Sequence, residues 1–193
     1  MKTISIVEYL YTMSISRQNL SIVIVTFKSE NVIHQCLSSI GDSINIILIE
    51  NSNNKKFKEE IEEKYKNVKC YLSLKNLGMG AGNNLGISYV QTDYVFILNP
   101  DVILESTTID KIILASKKIS SFAVLSPLSS NKSYPNYILN NDRKNENENL
   151  EPFKVKSVDG FAMLLNKKKI EKFIDKKNLD LFDENFFMYL END

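Results

Sequence analysis

Short apolar runs alternate with amphipathic stretches along most of the chain. Residues 21–27 (SIVIVTF) are mainly apolar and β-branched, which is typical of a strand buried on both faces. Residues 29–41 then carry apolar side chains at helical spacing and end at a glycine. Further strands are predicted in the runs INIILIE (44–50), VKCYLSL (68–74), DYVFIL (93–98) and FAVLSP (122–127).

The stretches between these strands predict helices. Residues 55–66 (KKFKEEIEEKYK) place Phe57, Ile61 and Tyr65 four residues apart, so that one face is apolar and the rest is charged. Residues 106–119 (STTIDKIILASKKI) predict another helix. Because strand and helix alternate, we expect an α/β fold built on a mostly parallel, open, twisted sheet with flanking helices.

Two segments break this alternation. Residues 129–151 are polar and rich in asparagine, which predicts a long loop. Residues 1–20 are interrupted by Glu8 and show no clear cleavage site, which argues against a signal peptide. We therefore divide the chain into an N-terminal extension, residues 1–20, and one domain, residues 21–193.

Composition narrows the classes of function. Of the 193 residues 43% are apolar, and 24 basic residues balance 24 acidic ones, which argues against a broad nucleic-acid surface. Two cysteines in apolar segments, Cys36 and Cys70, favour reduced thiols in a cytoplasmic protein. No apolar run approaches the roughly 20 residues that span a bilayer. The Lys-rich run 167–177 fits either a solvated helix face or peripheral contact with anionic lipid at the inner face of the membrane.

Polar residues collect where the predicted strands end. The first strand ends at Thr26 and Phe27, and the second ends at Glu50. The third runs into the glycine-rich stretch 76–86, and the fourth ends at residues 99–101 (NPD). Ligands of open parallel sheets bind outside the carboxyl ends of the strands, so these groups are expected to share one edge. The glycine spacing matches neither the dinucleotide fingerprint nor a P-loop.

Six motifs in order resemble one known family. They are IVIVTF, IENS, NLGMGAGNNLGI, FILNPDV, VDGFAMLLNKK and FDENFFMYLEND, within residues 20–193. This order is similar to that of the inverting family 2 glycosyltransferases, and most of all to their bacterial rhamnosyltransferase-like members. The resemblance implies a GT-A fold, a Rossmann-like nucleotide-diphospho-sugar transferase architecture. It also implies transfer of a sugar from dTDP-rhamnose or a UDP-sugar to a glycan or lipid-linked acceptor in cell-surface polysaccharide synthesis.

The resemblance assigns a donor site. Glu50 stands where the family usually has an aspartate that bonds the nucleotide base, and Thr26 and Phe27 are expected to line the base pocket. A loop whose backbone approaches the nucleotide closely is expected to contain Asn76, Gly78, Gly80, Gly82 and Asn83. Asn84 and Gly86 are expected at helix-entry and packing positions.

The resemblance also assigns a cofactor, a divalent metal. Asn99 and Asp101 match the outer positions of the family's Asp-x-Asp motif. Asp101 is expected to bind Mg²⁺ or Mn²⁺, with Asn99 beside the nucleotide-sugar. Pro100 restricts the turn between them.

Inversion needs a carboxylate that takes the proton of the acceptor hydroxyl. The resemblance places this base in the terminal motif, with Glu191 as the first candidate and Asp193 as the second. The acidic pair Asp183–Glu184 is expected to be mainly structural. Asp159 and Gly160 match the family's acceptor-side turn, although a plain β-turn explains them equally well.

The chain stops where the family continues, so the resemblance implies a truncated gene product, the first half of a split gene, or an excised fragment. A separately encoded C-terminal half is then an expected partner. An alternative function is a catalytically incomplete fragment that only binds nucleotide-sugar or a partner subunit. A sugar-nucleotide nucleotidyltransferase is disfavoured, because TFKSEN follows the first strand instead of a basic glycine-rich loop.

Overall fold

Six strands form the central sheet, in the order β3-β2-β1-β4-β8-β5. The computed structural model describes residues 15–119, 121–131, 133, 135–139, 151–171, 180–184 and 187. The strands of this sheet are β1 (Leu20–Thr26), β2 (Asn45–Glu50), β3 (Val68–Leu72), β4 (Tyr94–Leu98), β5 (Val124–Leu125) and β8 (Ala162–Asn166). A separate two-stranded sheet pairs β6 (Tyr137–Ile138) with β7 (Ser157–Val158).

Helices lie on both faces of the central sheet. In chain order they are α1 (Ile33–Ile40), α2 (Lys55–Lys64), α3 (Gly78–Ser88), α4 (Thr108–Lys118) and the short α5 (Lys167–Ile170), after a 3₁₀ turn at Arg17–Asn19. No helix in the described part of the chain is long and apolar enough to cross a membrane.

The first four strands are parallel to one another. β1 pairs with β2 on one side and with β4 on the other, and β3 extends the sheet beyond β2. β8 is antiparallel to β4, and β5 is antiparallel to β8. The predicted mostly parallel sheet with flanking helices is therefore confirmed.

The core consists of two apolar layers, one on each face of the sheet. Ile22 and Ile24 of β1 point to the layer that contains apolar residues of α1, α2 and α4. Val23 points to the other layer, with Ile87 of α3 and Phe182. All seven residues of β1 are buried, as the apolar run predicts for a strand covered on both faces.

Part of the expected N-terminal extension packs onto the sheet domain. Ile15 is buried in the core, and Leu20 already belongs to β1. The Arg17 guanidinium donates to Ser43 Oγ at 2.7 Å and to Asp110 Oδ1 at 2.6 Å. Residues from Ile15 onward are thus tied to the domain, whereas residues 1–14 lie outside the described part.

The structure differs from the sequence predictions in three segments. The strand expected at 122–127 is reduced to two residues, Val124–Leu125. The stretch expected to be a long loop contributes β6, whose Ile138 pairs with Ser157, and its residues 140–150 lie outside the described part. Most of the expected glycine-rich loop is helix α3.

Candidate functional site

The predicted strand ends meet at one edge of the sheet. Thr26, the last residue of β1, lies directly opposite Glu50, the last residue of β2. β4 is parallel to β1, so Asn99 follows it at the same edge. Because β8 is antiparallel, it begins there, with Ala162 opposite Leu98. The carboxyl edge of the parallel strands therefore gathers side chains from four separate parts of the sequence.

The Glu50 carboxylate is buried and bonded to the loop that follows it. One of its oxygens accepts from the backbone N–H of Ser52 at 2.9 Å and from the Ser52 hydroxyl. The other accepts from the backbone N–H of Asn54 at 2.6 Å. Glu50 is 1% exposed, so these bonds shape the turn that leads into α2. A carboxylate has about four acceptor positions, which leaves one for a ligand.

Asn51 links three strand ends, a role that the sequence analysis missed. Its backbone N–H donates to Thr26 O at 2.8 Å. Its side chain donates to Gly78 O at 3.1 Å and accepts from the Ser73 hydroxyl at 3.0 Å. Asn51 is 2% exposed, so it acts as a buried support for this edge. No local sequence signal marks it, because its partners are distant in the chain.

Thr26 and Phe27 have different environments at the end of β1. The Thr26 hydroxyl is buried and donates to Ile49 O at 3.3 Å. Phe27 is 46% exposed, and the Lys28 amine lies 5.4 Å from the centre of its ring. Lys28 has a φ of 53°, a left-handed conformation that is uncommon outside glycine. Phe27 thus offers an open aromatic face beside the strand edge.

The expected glycine-rich loop is only two residues long before helix α3 begins. Asn76 accepts from the backbone N–H of Gly78 at 3.0 Å, which closes a tight turn. Gly80, Gly82 and Asn83 lie inside the helix, which corrects the expected loop. Tertiary packing overrides the low helix propensity of glycine here, because a Cβ at Gly82 would lie 2.8 Å from Val25.

Two side-chain amide oxygens near this edge are buried without a hydrogen-bond donor. They are Asn83 Oδ1 in α3 and Asn99 Oδ1 after β4. Asn83 is 4% exposed. Buried polar groups are nearly always paired, so these two oxygens, to which no described residue donates, can accept from a water, from another part of the chain or from a hydroxyl or N–H of a ligand.

Helix α1 supports the turn at residues 99–101. Cys36 Sγ lies 3.7 Å from Asn99 O, and the Ser39 hydroxyl accepts from the backbone N–H of Leu104 at 3.0 Å. Burial, together with the nearby Asp101 charge, raises the pKa of the Cys36 thiol to about 12. The thiol therefore stays neutral. The Asp101 carboxylate is exposed, and no described residue forms a hydrogen bond or an ion pair with it.

The predicted acceptor-side turn adjoins this region. Asp159 donates its backbone N–H to Asn136 O at 3.0 Å. Phe161, directly after Gly160, accepts from the backbone N–H of Asn99 at 2.9 Å. The turn at 159–160 is therefore joined to the turn at 99–101 through one backbone hydrogen bond.

The two candidate bases lie outside the described residues. Neither Glu191 nor Asp193 has a described position. Glu184, from the acidic pair expected to be structural, accepts from the Asn84 amide at 2.9 Å. Asn84 lies in the middle of α3 and not at its entry, which corrects that expectation. Gly86 is a packing position as expected, because a Cβ there would lie 2.4 Å from Val23.

The described residues contain no group of three or more His, Cys, Asp or Glu side chains that could hold a metal ion by themselves. What they offer is one exposed carboxylate, Asp101, with the unpaired amide oxygen of Asn99 two residues before it. Mg²⁺ in nucleotide sites is commonly held by one or two carboxylates together with substrate phosphates and waters. This oxygen set fits a cation that arrives with a diphosphate.

A protein-family model matches most of the chain. The model of glycosyl transferase family 2 matches residues 21–174. The chain belongs to glycosyl transferase family 2. The family predicted from the order of the six motifs is therefore confirmed. No significant match to the sequence is found among curated proteins.

Solved structures share the fold of this family 2 chain. Residues 1–349 of S. aureus TarS in complex with UDP align with a TM-score of 0.64 at 14% identity, over 90% of this chain and 52% of that chain. The mannosyltransferase PcManGT from Pyrobaculum calidifontis, in complex with GDP-Man and Mn²⁺, aligns with a TM-score of 0.62 at 9% identity, over 86% of this chain and 48% of that chain. The chain thus spans about half the length of each of these structures.

Proposed function

We propose that this chain transfers a sugar from a nucleotide-diphosphate sugar, dTDP-rhamnose or a UDP-sugar, to a glycan or lipid-linked acceptor with inversion, in cell-surface polysaccharide synthesis. Membership of family 2 supports the reaction class. The observation that carries the proposal is the pair of buried amide oxygens, of Asn83 and Asn99, to which no described residue donates, with the exposed Asp101 carboxylate two residues after Asn99. Hydroxyl or N–H groups of a nucleotide-sugar would donate to the two amide oxygens, and a divalent cation bound to the diphosphate would be held by Asp101.

The donor side of the proposed site is built from four strand ends and α3. The exposed ring of Phe27 can stack on a flat base, and Glu50 keeps one acceptor position for a base N–H. Asn76 and Gly78 form the tight turn where the backbone can approach the ribose or diphosphate. The TarS structure with bound UDP supports a uridine nucleotide as one donor to test.

Asp101, with Asn99 beside it, would hold the divalent metal. When bound, Mg²⁺ or Mn²⁺ supplies Lewis-acid neutralisation of the charge that develops on the departing nucleoside diphosphate. The PcManGT structure, which contains GDP-Man and Mn²⁺, supports this choice of metal. Asp101 itself is held in place by the turn that Val102 closes with Asn99 at 3.2 Å.

The acceptor side of the proposal has two parts. Glu191, or secondarily Asp193, takes the proton from the acceptor hydroxyl as that hydroxyl attacks the anomeric carbon opposite the leaving diphosphate. Asp159 bonds a hydroxyl of the bound sugar, and Gly160 leaves space for it. The backbone bond from Asn99 to Phe161 supports this assignment, because it links the acceptor-side turn to the donor-side turn.

A peripheral position at the inner face of the membrane is the proposed location, since a lipid-linked acceptor would be reached there. The three lysines of α5 differ in whether their ammonium groups already have a partner within the protein. Lys167 donates to Val90 O at 3.0 Å, and Lys168 pairs with Asp93 at 2.7 Å. Lys169, the third lysine of this helix, is half-buried and has neither of these two contacts, so it is the one proposed to meet anionic lipid headgroups.

A donor panel tests the proposed function. The purified chain is incubated with dTDP-rhamnose, UDP-glucose or UDP-GlcNAc, and release of nucleoside diphosphate is measured. MnCl₂ is present at about 5 mM, which is roughly the excess that a metal site of millimolar affinity requires. We expect release with at least one donor, and loss of at least about 100-fold in the Asp101→Ala variant. The matched control is Asp42→Ala, an exposed aspartate in the loop between α1 and β2 at the opposite edge of the sheet.

The outcomes separate the proposal from its main alternative. Metal-dependent binding of a nucleoside diphosphate without turnover would favour the binding-only fragment and overturn sugar transfer. Neither binding nor turnover, with Asp101→Ala identical to the wild type, would overturn both.

A further inference from the structure

The side chain of Asn84 is fully bonded to a part of the chain almost 100 residues away. Its Oδ1 accepts from the backbone N–H groups of Leu181, at 3.0 Å, and Phe182, at 3.1 Å. Its Nδ2 donates to Phe182 O and to Glu184 Oε1, both at 2.9 Å. An amide side chain offers two acceptor sites and two N–H donors, so the bonding capacity of Asn84 is used up.

This arrangement is buried and specific. Asn84 is 7% exposed, and the ring of Phe182 is buried among Val23, Ile87 and their neighbours. One polar side chain of α3 therefore bonds the backbone of Leu181 and Phe182 and the side chain of Glu184, and the Phe182 ring lies in the same apolar cluster as Ile87 of that helix. Loss of a buried amide with such partners leaves several groups unpaired.

A second contact lies at the first turn of α3. The backbone N–H of Met79 donates to Phe187 O at 3.2 Å. Gly78 has a φ of +80°, and a Cβ there would lie only 2.3 Å from the same Phe187 oxygen. Gly78 and Asn84 are six residues apart, or about 9 Å along the helix axis. Residues 181–184 and 187, here called the tail segment, are thus attached to α3 at two separate points.

The two elements joined in this way lie on different sides of the proposed reaction. The turn before α3 belongs to the proposed donor site, and its Gly78 carbonyl is held by Asn51. The tail segment leads, four residues after Phe187, to the candidate base Glu191. Whatever fixes the tail segment on α3 therefore fixes the start of the stretch that carries this base.

We propose that Asn84 is a positioning residue, which holds the tail segment on helix α3 so that order in this segment and nucleotide binding at the start of α3 are coupled. This inference rests on the proposed function for its catalytic part only. Coupling between two sites is reciprocal, so a nucleotide that stabilises α3 must also stabilise the tail segment.

Amide hydrogen exchange tests the coupling. Exchange at Leu181 and Phe182 is measured with and without UDP or dTDP in the presence of MnCl₂. In the wild type we expect the nucleotide to slow exchange at both amides. In Asn84→Ala we expect at least tenfold faster exchange at both, and a reduced effect of the nucleotide. Unchanged exchange at both amides in this variant, or no nucleotide effect in the wild type, would overturn the proposal.

Kinetics separate positioning from general damage to the fold. Where transfer is observed, Asn84→Ala should lower kcat at least tenfold and should also weaken nucleotide binding, because the coupling is reciprocal. A fall in thermal stability with unchanged nucleotide affinity would point to a purely structural role and overturn the proposal. The matched control is Ser88→Ala, at an exposed residue of the same helix that donates only to Leu85 O, and it should change none of these quantities.

A second variant covers the case in which Asn84→Ala does not fold. Asn84→Asp keeps the acceptor for Leu181 and Phe182 but loses donation to Phe182 O and Glu184, so intermediate exchange is expected. A wild-type chain that transfers no sugar overturns the proposed function alone. The exchange rates with nucleotide then decide this inference by themselves.

Discussion

The Glu50 side chain was expected to bind a nucleotide base, and the structure shows that it also holds the loop that follows it. At this position the family resemblance predicts a base-binding carboxylate. In the structure the Glu50 carboxylate accepts three hydrogen bonds from Ser52 and Asn54, and so shapes the loop before α2. With both oxygens engaged, its contribution to nucleotide recognition depends on the single acceptor position that remains.

We therefore expect Glu50→Gln to destabilise the fold. The two backbone donors approach different oxygens of Glu50, so a carboxamide must place its NH₂ group against one of them in either orientation. The cost should be about 1–3 kcal/mol in the free energy of unfolding, measured by urea denaturation. Glu59→Gln, at an exposed position on the same α2, should stay within about 0.5 kcal/mol of wild type. Equal stability of the two variants would contradict the loop-shaping role.

A pair of glycines isolates the contact between α3 and the tail segment. Gly41 and Gly78 both have a φ of +80°, but a Cβ at Gly41 would meet no atom within 4 Å, whereas at Gly78 it would lie 2.3 Å from Phe187 O. Substitution by alanine strains the backbone at both sites, and at Gly41, whose ψ of −166° lies in a region almost restricted to glycine, the strain is roughly 1–3 kcal/mol. Gly78→Ala adds the clash with Phe187 O to its backbone strain, so it should cost more than Gly41→Ala in urea denaturation. The same cost at both sites would mean that the Phe187 contact contributes nothing.

Helix α3 shows where sequence reasoning about elements fails. Its glycines and asparagines predict a loop, because each has low helix propensity. Gly82 and Gly86 instead allow the helix to lie close against Val25 and Val23 of β1, which residues with a Cβ would prevent. The signal was therefore a packing signal at i, i+4 spacing, and only the partner strand reveals it.

Helix α2, by contrast, was predicted from its apolar residues four positions apart and its charged outer face, and two of those charges cover the sheet edge. Glu62 accepts from the backbone N–H of Cys70 in β3 at 2.8 Å and from Lys58 at 2.7 Å, and Lys58 also donates to Cys70 O. Both backbone groups of Cys70 are thus satisfied by side chains. An edge strand whose N–H and C=O groups are covered in this way is poorly suited to pairing with another chain.

The pKa of Glu62 makes this edge contact dependent on pH. Burial acts to raise the pKa, but the hydrogen bonds from Lys58 and from Cys70 outweigh it and lower the pKa below its ordinary value. Because the pKa of Glu62 is lower in the folded state, the ionised carboxylate stabilises the fold at pH values above the ordinary pKa of glutamate. This contribution disappears as the pH falls through the pKa of the folded state. Glu62 is 33% exposed on its side chain, so the effect should be below about 1 kcal/mol.

Glu62→Gln tests this dependence. The variant should be less stable than wild type between pH 6 and 8, and the difference should shrink below about pH 4.5. Thermal or urea unfolding across this range gives the measurement. Glu63→Gln, at an exposed neighbouring position, should show no such convergence. A difference for Glu62→Gln that is constant at every pH would contradict the assignment.

At the scale of the whole molecule, the alternation of strand and helix predicted the parallel part of the sheet and its carboxyl edge. Parallel neighbouring strands are joined by crossover connections, usually helices, and the pattern of apolar residues located the strands and the helices. A strand was predicted around β5, but the antiparallel pairing of β8 and β5 was not, because it joins residues far apart, such as Leu98 with Ala162. For the same reason the supports at Asn51 and Asn84 were missed, since their partners lie 22 or more residues away.

Because the proposed ligand contacts meet at one edge of the sheet, binding of the ligand should stabilise the whole fold. A nucleoside diphosphate with Mn²⁺ would contact the ends of β1, β2 and β4 and the start of α3, which belong to both layers of the core. Ligand that binds only the folded state at about 100 times its Kd adds roughly 2.7 kcal/mol to the free energy of unfolding. For a chain of this size that corresponds to a rise in Tm of roughly 5–10 °C. Differential scanning fluorimetry with UDP or dTDP, with and without MnCl₂, gives the measurement.

Asp101→Asn should keep the Tm of the free protein, because the carboxylate is exposed, and should lose most of the metal-dependent rise. A rise of equal size in Asp101→Asn would show that the metal and the diphosphate bind elsewhere.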